Sequence, residues 1–136
     1  MKNSVTQEFD YGCAIACMAF VLENSYSRTI ELLNPNQQFS ERFYIKDLTS
    51  ELSRLGKSYS SRYVKPHLRK KIYQEAAIVL IARSKTYPVG HYLVRHNKMW
   101  MDPWINMKKS NYQISEAESG YRKRLPGRPM YVLIPD

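Results

Sequence analysis

The ten-residue stretch CAIACMAFVL, at positions 13–22, constrains the fold of this chain more than any other feature. Its small and straight-chain residues favour a helix, and apolar side chains cover nearly the whole circumference of that helix. A helix that is apolar all round has to be buried among other elements. The sequence therefore predicts a buried helix from about Cys13 to Glu23, with the rest of the domain built around it.

Two further helices are predicted in the first half of the chain. A short one follows the buried helix and stops at Asn34-Pro35, because a residue that precedes proline disfavours helical geometry. An amphipathic one is predicted over residues 41–55, where apolar residues recur every three or four positions. Ser40 is its predicted N-cap and Gly56 ends it.

The second half of the chain has the character of a β-sheet. AAIVLIA, residues 76–82, is a short continuous apolar run, which is typical of a strand covered on both faces. Residues 91–102 predict a hairpin that turns at His96-Asn97-Lys98. Residues 130–135 form another strong strand candidate, and residues 57–66 a weaker one. Helices followed by an antiparallel sheet predict the α+β class.

Charge is distributed unevenly along the chain. Its 136 residues fit one domain, and the formal net charge is +9. Residues 1–56 carry five Lys or Arg against seven Asp or Glu, whereas residues 57–136 carry sixteen against five, a net of +11. A basic half attracts anions such as nucleic acid, an acidic protein or an anionic membrane face, and a solvated surface explains it equally well.

Several classes of protein are disfavoured by what the sequence contains. The longest apolar runs are too short to span a bilayer, and MKNSVTQEFD has no hydrophobic signal region. We therefore expect a cytoplasmic protein, unless other machinery delivers it elsewhere. Cys13 and Cys17 are helical neighbours whose geometry would strain a disulfide. With no CxxC motif and with scattered histidines, neither a metal nor another cofactor is predicted.

Three residues form a candidate catalytic constellation. Cys13 lies where the first helix begins, and a helix N-terminus with a nearby imidazolium favours a thiolate. If the centre of the hairpin turn lies between His96 and Asn97, His91 and Asp102 are equidistant from it, so they are expected to face each other. A carboxylate opposite an imidazole fixes the orientation of the ring. Taken singly, each residue is also compatible with a structural role.

Two other polar residues near the first helix have different expected roles. Gln7 lies just upstream of Cys13, and its side-chain amide is a candidate donor to an oxyanion. Cys17 is one helical turn further in, and we expect it to be part of the core.

The segments QEFDYGCAIAC, GHYLV and WMDP occur in this order, with a predicted helix before the AAIVLIA strand and a final strand after it. This chain resembles the papain-like cysteine peptidases of the bacteriocin-processing, double-glycine leader peptidase type over nearly its whole length. The resemblance implies a papain-like α+β fold over residues 1–136. It also implies that Cys13 is the nucleophile, His91 the general base, Asp102 the residue that orients the imidazole, and Gln7 the oxyanion-hole donor.

The chain departs from that family in three respects, one of which is a short hairpin between His91 and Asp102. Gly12 precedes the cysteine and Ala14 follows it, where the family usually has an acidic residue and a glycine. Members of the family also usually belong to ABC transporters, whereas this chain has neither a P-loop motif nor an apolar run long enough to span a membrane. It is more similar to the free-standing domains of phages, mobile elements and toxin modules.

The patterns support more than one function. The first hypothesis is a cysteine hydrolase that cleaves a peptide or amide bond in a peptide or protein substrate. The second is a nucleic-acid-directed toxin or effector on the same fold, either ribonuclease-like or a binding module, which uses the basic half. The third is an effector directed at a host protein, which modifies or sequesters that partner.

Basic clusters interleaved with aromatic residues support the second hypothesis. They are HLRKK at 67–71, MKK at 107–109 and YRKRLPGR at 121–128. Such residues pair with phosphates and stack on bases, although solvated loops have the same composition. The candidates for substrate or anion binding are Trp100, Trp104, Arg122, Lys123 and Arg124.

Overall fold

The computed structural model describes residues 2–33 and 44–136. In these ranges three α-helices come first and an antiparallel sheet of six strands follows, which confirms the α+β class. The helices are α1 (Cys13–Leu22), α2 (Tyr26–Leu32) and α3 (Ile45–Arg54), with 3-10 helices at Pro66–Tyr73 and Ile114–Glu116. The strands are β1 (Tyr59–Tyr63), β2 (Ile78–Ile81), β3 (His91–His96), β4 (Met99–Asp102), β5 (Gly120–Arg122) and β6 (Pro129–Pro135).

The sheet has the strand order β1-β6-β2-β3-β4-β5, and every neighbouring pair is antiparallel. Strand β6 therefore lies between β1 and β2, although it comes last in sequence. Strands β3 and β4 form a hairpin in the other half of the sheet, and β5 is the edge strand beside β4. This arrangement places the beginning of β3 and the end of β4, which carry His91 and Asp102, next to each other.

Helix α1 is buried as its sequence predicts, because every residue from Ala14 to Val21 is buried. Its side chains pack in one core cluster with Tyr92, Val94 and Met101 from β3 and β4. A second cluster, which includes Leu93 and Trp100, covers the other face of the same hairpin. Burying a large apolar side chain contributes about 1.5–3 kcal/mol, so the two clusters fix the sheet between α1 and the later loops.

One end of α3 differs from the helix predicted over residues 41–55, because Tyr44 is extended. Helix α3 begins at Ile45, and the N–H of Tyr44 donates to the carboxylate of Asp47 at 3.0 Å. The predicted start of this helix and its Ser40 cap lie outside the described residues, as does the predicted stop at Asn34-Pro35. The other end agrees, because Gly56 follows the helix in the left-handed conformation at φ 93°.

The β3–β4 hairpin turns one residue later than predicted. Its turn residues are Asn97-Lys98, both left-handed, as a two-residue turn between twisted strands requires. The register therefore places Asp102 across from Leu93, and not directly across from His91. Side chains alternate along a strand, so an offset of two residues leaves His91 and Asp102 on the same face of the sheet.

Strand β5 is not predicted from the sequence, because three residues are too few for a periodic pattern. It pairs with β4 and sets Arg122 opposite Trp100. In the described parts of the chain, no helix has the length and apolar character that crossing a bilayer requires.

Candidate active site

Cys13 is the first residue of α1 and is partly exposed. The N–H of Ala16 makes the first bond of the helix, to the carbonyl of Gly12, so the N–H groups before it have no acceptor within the helix. These groups form the positive end of the helix dipole at the sulfur. Cys17 lies one turn further on and is completely buried, and its burial raises the pKa of its thiol.

The glycine before Cys13 has a packing reason. A Cβ atom at Gly12 would overlap the hydroxyl oxygen of Tyr26. That hydroxyl donates a buried hydrogen bond of 3.2 Å to the carbonyl of Gly12. The tyrosine thus fills the space that an acidic side chain would need, and it holds the chain where α1 begins.

His91 and Asp102 form the buried pair that the sequence predicts. Nε2 of His91 lies 2.7 Å from Oδ1 of Asp102, and the two residues are 1% and 0% exposed. The backbone N–H of Trp104 donates to the same carboxylate oxygen at 2.9 Å. Because Asp102 engages Nε2, the other ring nitrogen is the one that remains for the thiol of Cys13.

The ionisation of this pair follows from competing effects. Burial lowers the pKa of His91, but the hydrogen bond to Asp102 and a weaker one to Cys13 outweigh it and raise the pKa to about 9. Burial raises the pKa of Asp102, but the hydrogen bond and the charge of His91 outweigh it, so that pKa is lowered. Near neutral pH the pair is therefore an imidazolium beside a carboxylate.

Residues on the segment before β3 fix the ring of His91. The ring of Tyr87 stacks on it with centroids 4.8 Å apart and an angle of 13° between the planes. Gly90 has φ +83°, and a Cβ there would lie 2.8 Å from the carbonyl oxygen of Ile81. Only glycine fits this position without strain. The sequence analysis missed Tyr87, because a lone tyrosine upstream of a histidine has no distinguishing pattern.

Arg122 contributes a fourth group, through a contact with Asp102 that the sequence does not predict. Its Nε lies 3.0 Å from Oδ2 of Asp102, although the N–H is not aimed at that oxygen as in a hydrogen bond. Its charge helps to lower the pKa of Asp102. The sequence analysis groups Arg122 with Lys123 and Arg124 as a contact for substrate or anions. The structure places its guanidinium beside the buried carboxylate of Asp102, and its role in binding a substrate or an anion stays a prediction.

Gln7 is placed differently from the oxyanion donor that the resemblance implies. Its side chain is 1% exposed, and Nε2 donates to the carbonyls of Phe9 at 2.9 Å and Asp10 at 3.2 Å. Both amide protons are thus used within the loop that leads into α1, and the side chain does not line the cavity at Cys13. In this conformation Gln7 supports the loop that leads to Cys13, and its amide presents no free donor.

Cys13 and His91 share the wall of one cavity of about 250 Å³. Asp10 adds a carboxylate to this wall. The rest is largely aromatic and apolar: Tyr11, Leu80, Tyr87, Val89, Trp104, Met107 and Tyr112. A substrate that enters here meets the thiol and an apolar surface together.

The remaining candidates from the sequence separate into two places. Trp104 lines the cavity at Cys13, and its indole N–H donates to the hydroxyl of Ser110 at 3.0 Å. Trp100, Lys123 and Arg124 line a different cavity.

No protein-family model matches this chain, and a comparison with curated proteins finds no match either. In residues 2–33 and 44–136, no group of three or more His, Cys, Asp or Glu side chains is arranged to hold a metal ion. The function is therefore argued from the site itself.

Proposed function

We propose that this protein is a papain-like cysteine hydrolase that cleaves a peptide or related amide bond in a peptide or protein substrate. One observation carries the proposal: the ring of His91 connects the Cys13 thiol, at a helix N-terminus, with the buried carboxylate of Asp102. All three groups are in the arrangement that nucleophilic thiol chemistry needs. The cavity beside them gives a substrate access to the sulfur.

In the proposed reaction, the thiolate of Cys13 attacks the carbonyl carbon of the substrate beside the imidazolium of His91. The backbone N–H of Cys13 faces the developing oxyanion, because it has no acceptor within the helix. His91 then gives its proton to the leaving amine, and a thioester with Cys13 remains. A water molecule then loses a proton to the neutral His91 and attacks the thioester; the acid leaves, and the Cys13 thiolate and the His91 imidazolium are restored.

The other buried groups serve this chemistry by position. Asp102 holds the ring of His91 through Nε2 and favours its protonated form. Arg122 and the N–H of Trp104 in turn favour the ionised form of Asp102. The aromatic wall of the cavity suits a substrate with an apolar side chain next to the scissile bond.

The test is the alkylation of Cys13 by substoichiometric iodoacetamide near neutral pH, followed by peptide mass spectrometry. We expect Cys13 to react at least tenfold faster than the thiol of glutathione, and His91→Ala to remove most of that advantage. Cys17 serves as the internal control, since its burial keeps it unreactive. If Cys13 reacts no faster than glutathione and His91→Ala changes nothing, the cysteine is not an activated nucleophile.

Hydrolysis is tested separately with a mixture of synthetic peptides, whose cleavage products mass spectrometry identifies. Cys13→Ala should abolish every cleavage, while the matched variant Cys17→Ala should retain it. Cleavage that survives Cys13→Ala would refute the mechanism. The ribonuclease-like alternative has less support, because the ring of His91 is committed to Asp102 and Cys13.

A further inference from the structure

A second cavity, of about 370 Å³, lies away from the active-site cavity and shares no wall residue with it. Its wall combines cations with aromatic rings. We call it the basic–aromatic cavity and define it by Arg69, Tyr73, Trp100, Lys123 and Arg124.

Two segments that are far apart in sequence supply the positive charge of this cavity. Residues 65–73 and residues 121–128 each contain four Lys or Arg and no Asp or Glu. Within these two segments, Arg122 pairs with the carboxylate of Asp102. In the described parts of the chain, the cavity's cations make no ion pair; these are Arg69, Lys123 and Arg124. The cavity therefore has a positive potential that the protein itself does not neutralise.

An aromatic platform lies among these cations. Tyr73 is 55% exposed, while Trp100 is buried. The guanidinium of Arg95 lies 5.0 Å from the centroid of the Tyr73 ring and 5.1 Å from that of Trp100. These contacts hold both rings in place, so Tyr73 presents a rigid surface to an incoming planar group.

We propose that the basic–aromatic cavity binds single-stranded nucleic acid. One base stacks on Tyr73, and neighbouring phosphates contact Arg69, Lys123 and Arg124. Stacking platforms within a positive groove are how proteins bind single strands without reading their sequence. An acidic peptide would satisfy the cations equally well but would leave the exposed ring unused. The combination of ring and cations therefore favours nucleotides.

The proposal is independent of the hydrolase activity, because the basic–aromatic cavity shares no wall residue with the cavity at Cys13 and His91. A protein with both sites would carry its cysteine chemistry to a nucleic acid, or to proteins bound there. The binding experiment can accordingly be made with the Cys13→Ala variant, in which no hydrolysis interferes.

The charge arm of the test measures fluorescence anisotropy of a labelled ten-nucleotide oligothymidylate over a series of salt concentrations. Each phosphate contact to a single strand contributes about −0.7 to the slope of log K against log salt, so three contacts give roughly −2. Arg124→Gln should make the slope shallower by about 0.7. The matched control is Lys108→Gln, an exposed cation of the basic half outside the cavity, which should leave the slope unchanged.

The stacking arm compares Tyr73→Leu with Tyr63→Leu. Tyr63 is 49% exposed on β1 and serves as the matched control. Loss of one stacked base corresponds to roughly tenfold weaker binding, which we expect for Tyr73→Leu and not for Tyr63→Leu. Circular dichroism should confirm that both variants keep the fold.

Competition identifies the source of the anion. Thymidine monophosphate should compete at least tenfold more weakly than the oligonucleotide, because it offers one phosphate, and a ten-residue polyglutamate should compete poorly. If polyglutamate binds as tightly as the oligonucleotide and Tyr73→Leu has no effect, the cavity serves an acidic protein and the proposal is wrong. It is equally wrong if the monophosphate binds as tightly, or if the cavity variants behave like their controls.

Discussion

The ionisation of His91 offers the sharpest test of the site. Its pKa is raised from 6.5 to about 9 against the effect of burial, mainly by the hydrogen bond to Asp102. At 1.36 kcal/mol per pKa unit, this shift corresponds to about 3 kcal/mol of preference for the protonated ring in the folded state. Asp102→Asn keeps the shape and removes the charge. Burial then dominates, so we expect the pKa of His91 to fall below 6.5.

The same shift makes the stability of the protein depend on pH. The folded pKa lies above the unfolded one, so the stabilisation is complete below about pH 6.5 and is lost as the pH rises through about 9. The wild type should therefore lose about 3 kcal/mol more in its free energy of unfolding between pH 6 and pH 10 than Asp102→Asn does. Urea denaturation of both proteins at both pH values measures the loss in each. Subtracting one loss from the other cancels the contributions of the other groups that titrate in this range.

Proton NMR measures the pKa directly, by following the carbon-bound ring protons of the histidines between pH 5 and pH 10. His91→Gln identifies the signal that belongs to His91. A wild-type His91 that titrates at or below pH 6.5 would refute the ion-pair reasoning. So would an Asp102→Asn variant whose His91 still titrates near pH 9.

Three further perturbations test the groups around the triad. Gly90→Ala should lower the free energy of unfolding, measured by urea denaturation, by roughly 2 kcal/mol or more. A positive φ alone costs about 1–2 kcal/mol, and the new Cβ would lie too close to the Ile81 carbonyl oxygen. A variant as stable as the wild type would contradict this. Arg122→Gln should raise the pKa of Asp102, so the variant should begin to lose stability at a higher pH than the wild type when the solution is acidified. The free energy of unfolding of both proteins, measured from pH 5 to pH 2, tests this, and identical pH dependences would contradict it. Tyr26→Phe should lower the free energy of unfolding by about 1 kcal/mol and slow the alkylation of Cys13. An unchanged alkylation rate would mean that the hydrogen bond from Tyr26 to Gly12 does not position α1.

The sequence predicted the elements whose signals are local. The buried helix α1 and the order of helices and strands follow from apolar runs and periodicity. The sequence also predicts the contact of His91 with Asp102. The observed register differs from the predicted one by two residues, but the contact remains because an offset of two leaves both side chains on the same face of the sheet. Local patterns therefore sufficed for the α+β class and for the pairing at its centre.

The remaining features depend on contacts between distant parts of the chain. Arg122 reaches Asp102 only because the three-residue strand β5 pairs with β4, and no periodic signal marks so short a strand. Gln7 lies close to the nucleophile in sequence, but the carbonyls of its own loop decide where its amide points. In the sequence, Gly12 is only a departure from the family pattern. The structure explains it, because Tyr26 occupies the space that a side chain at position 12 would need.

The position of β6 in the sheet has a consequence for the order of folding. Residues 129–135 are synthesised after the other strands of the described residues, yet they lie inside the sheet and connect β1 to β2. Strand β2 in turn pairs with β3 at Ile81 and His91. Sheets closed by such distant segments form late and slowly. In a nascent chain the thiol of Cys13 is therefore present well before β6 completes the sheet that carries His91.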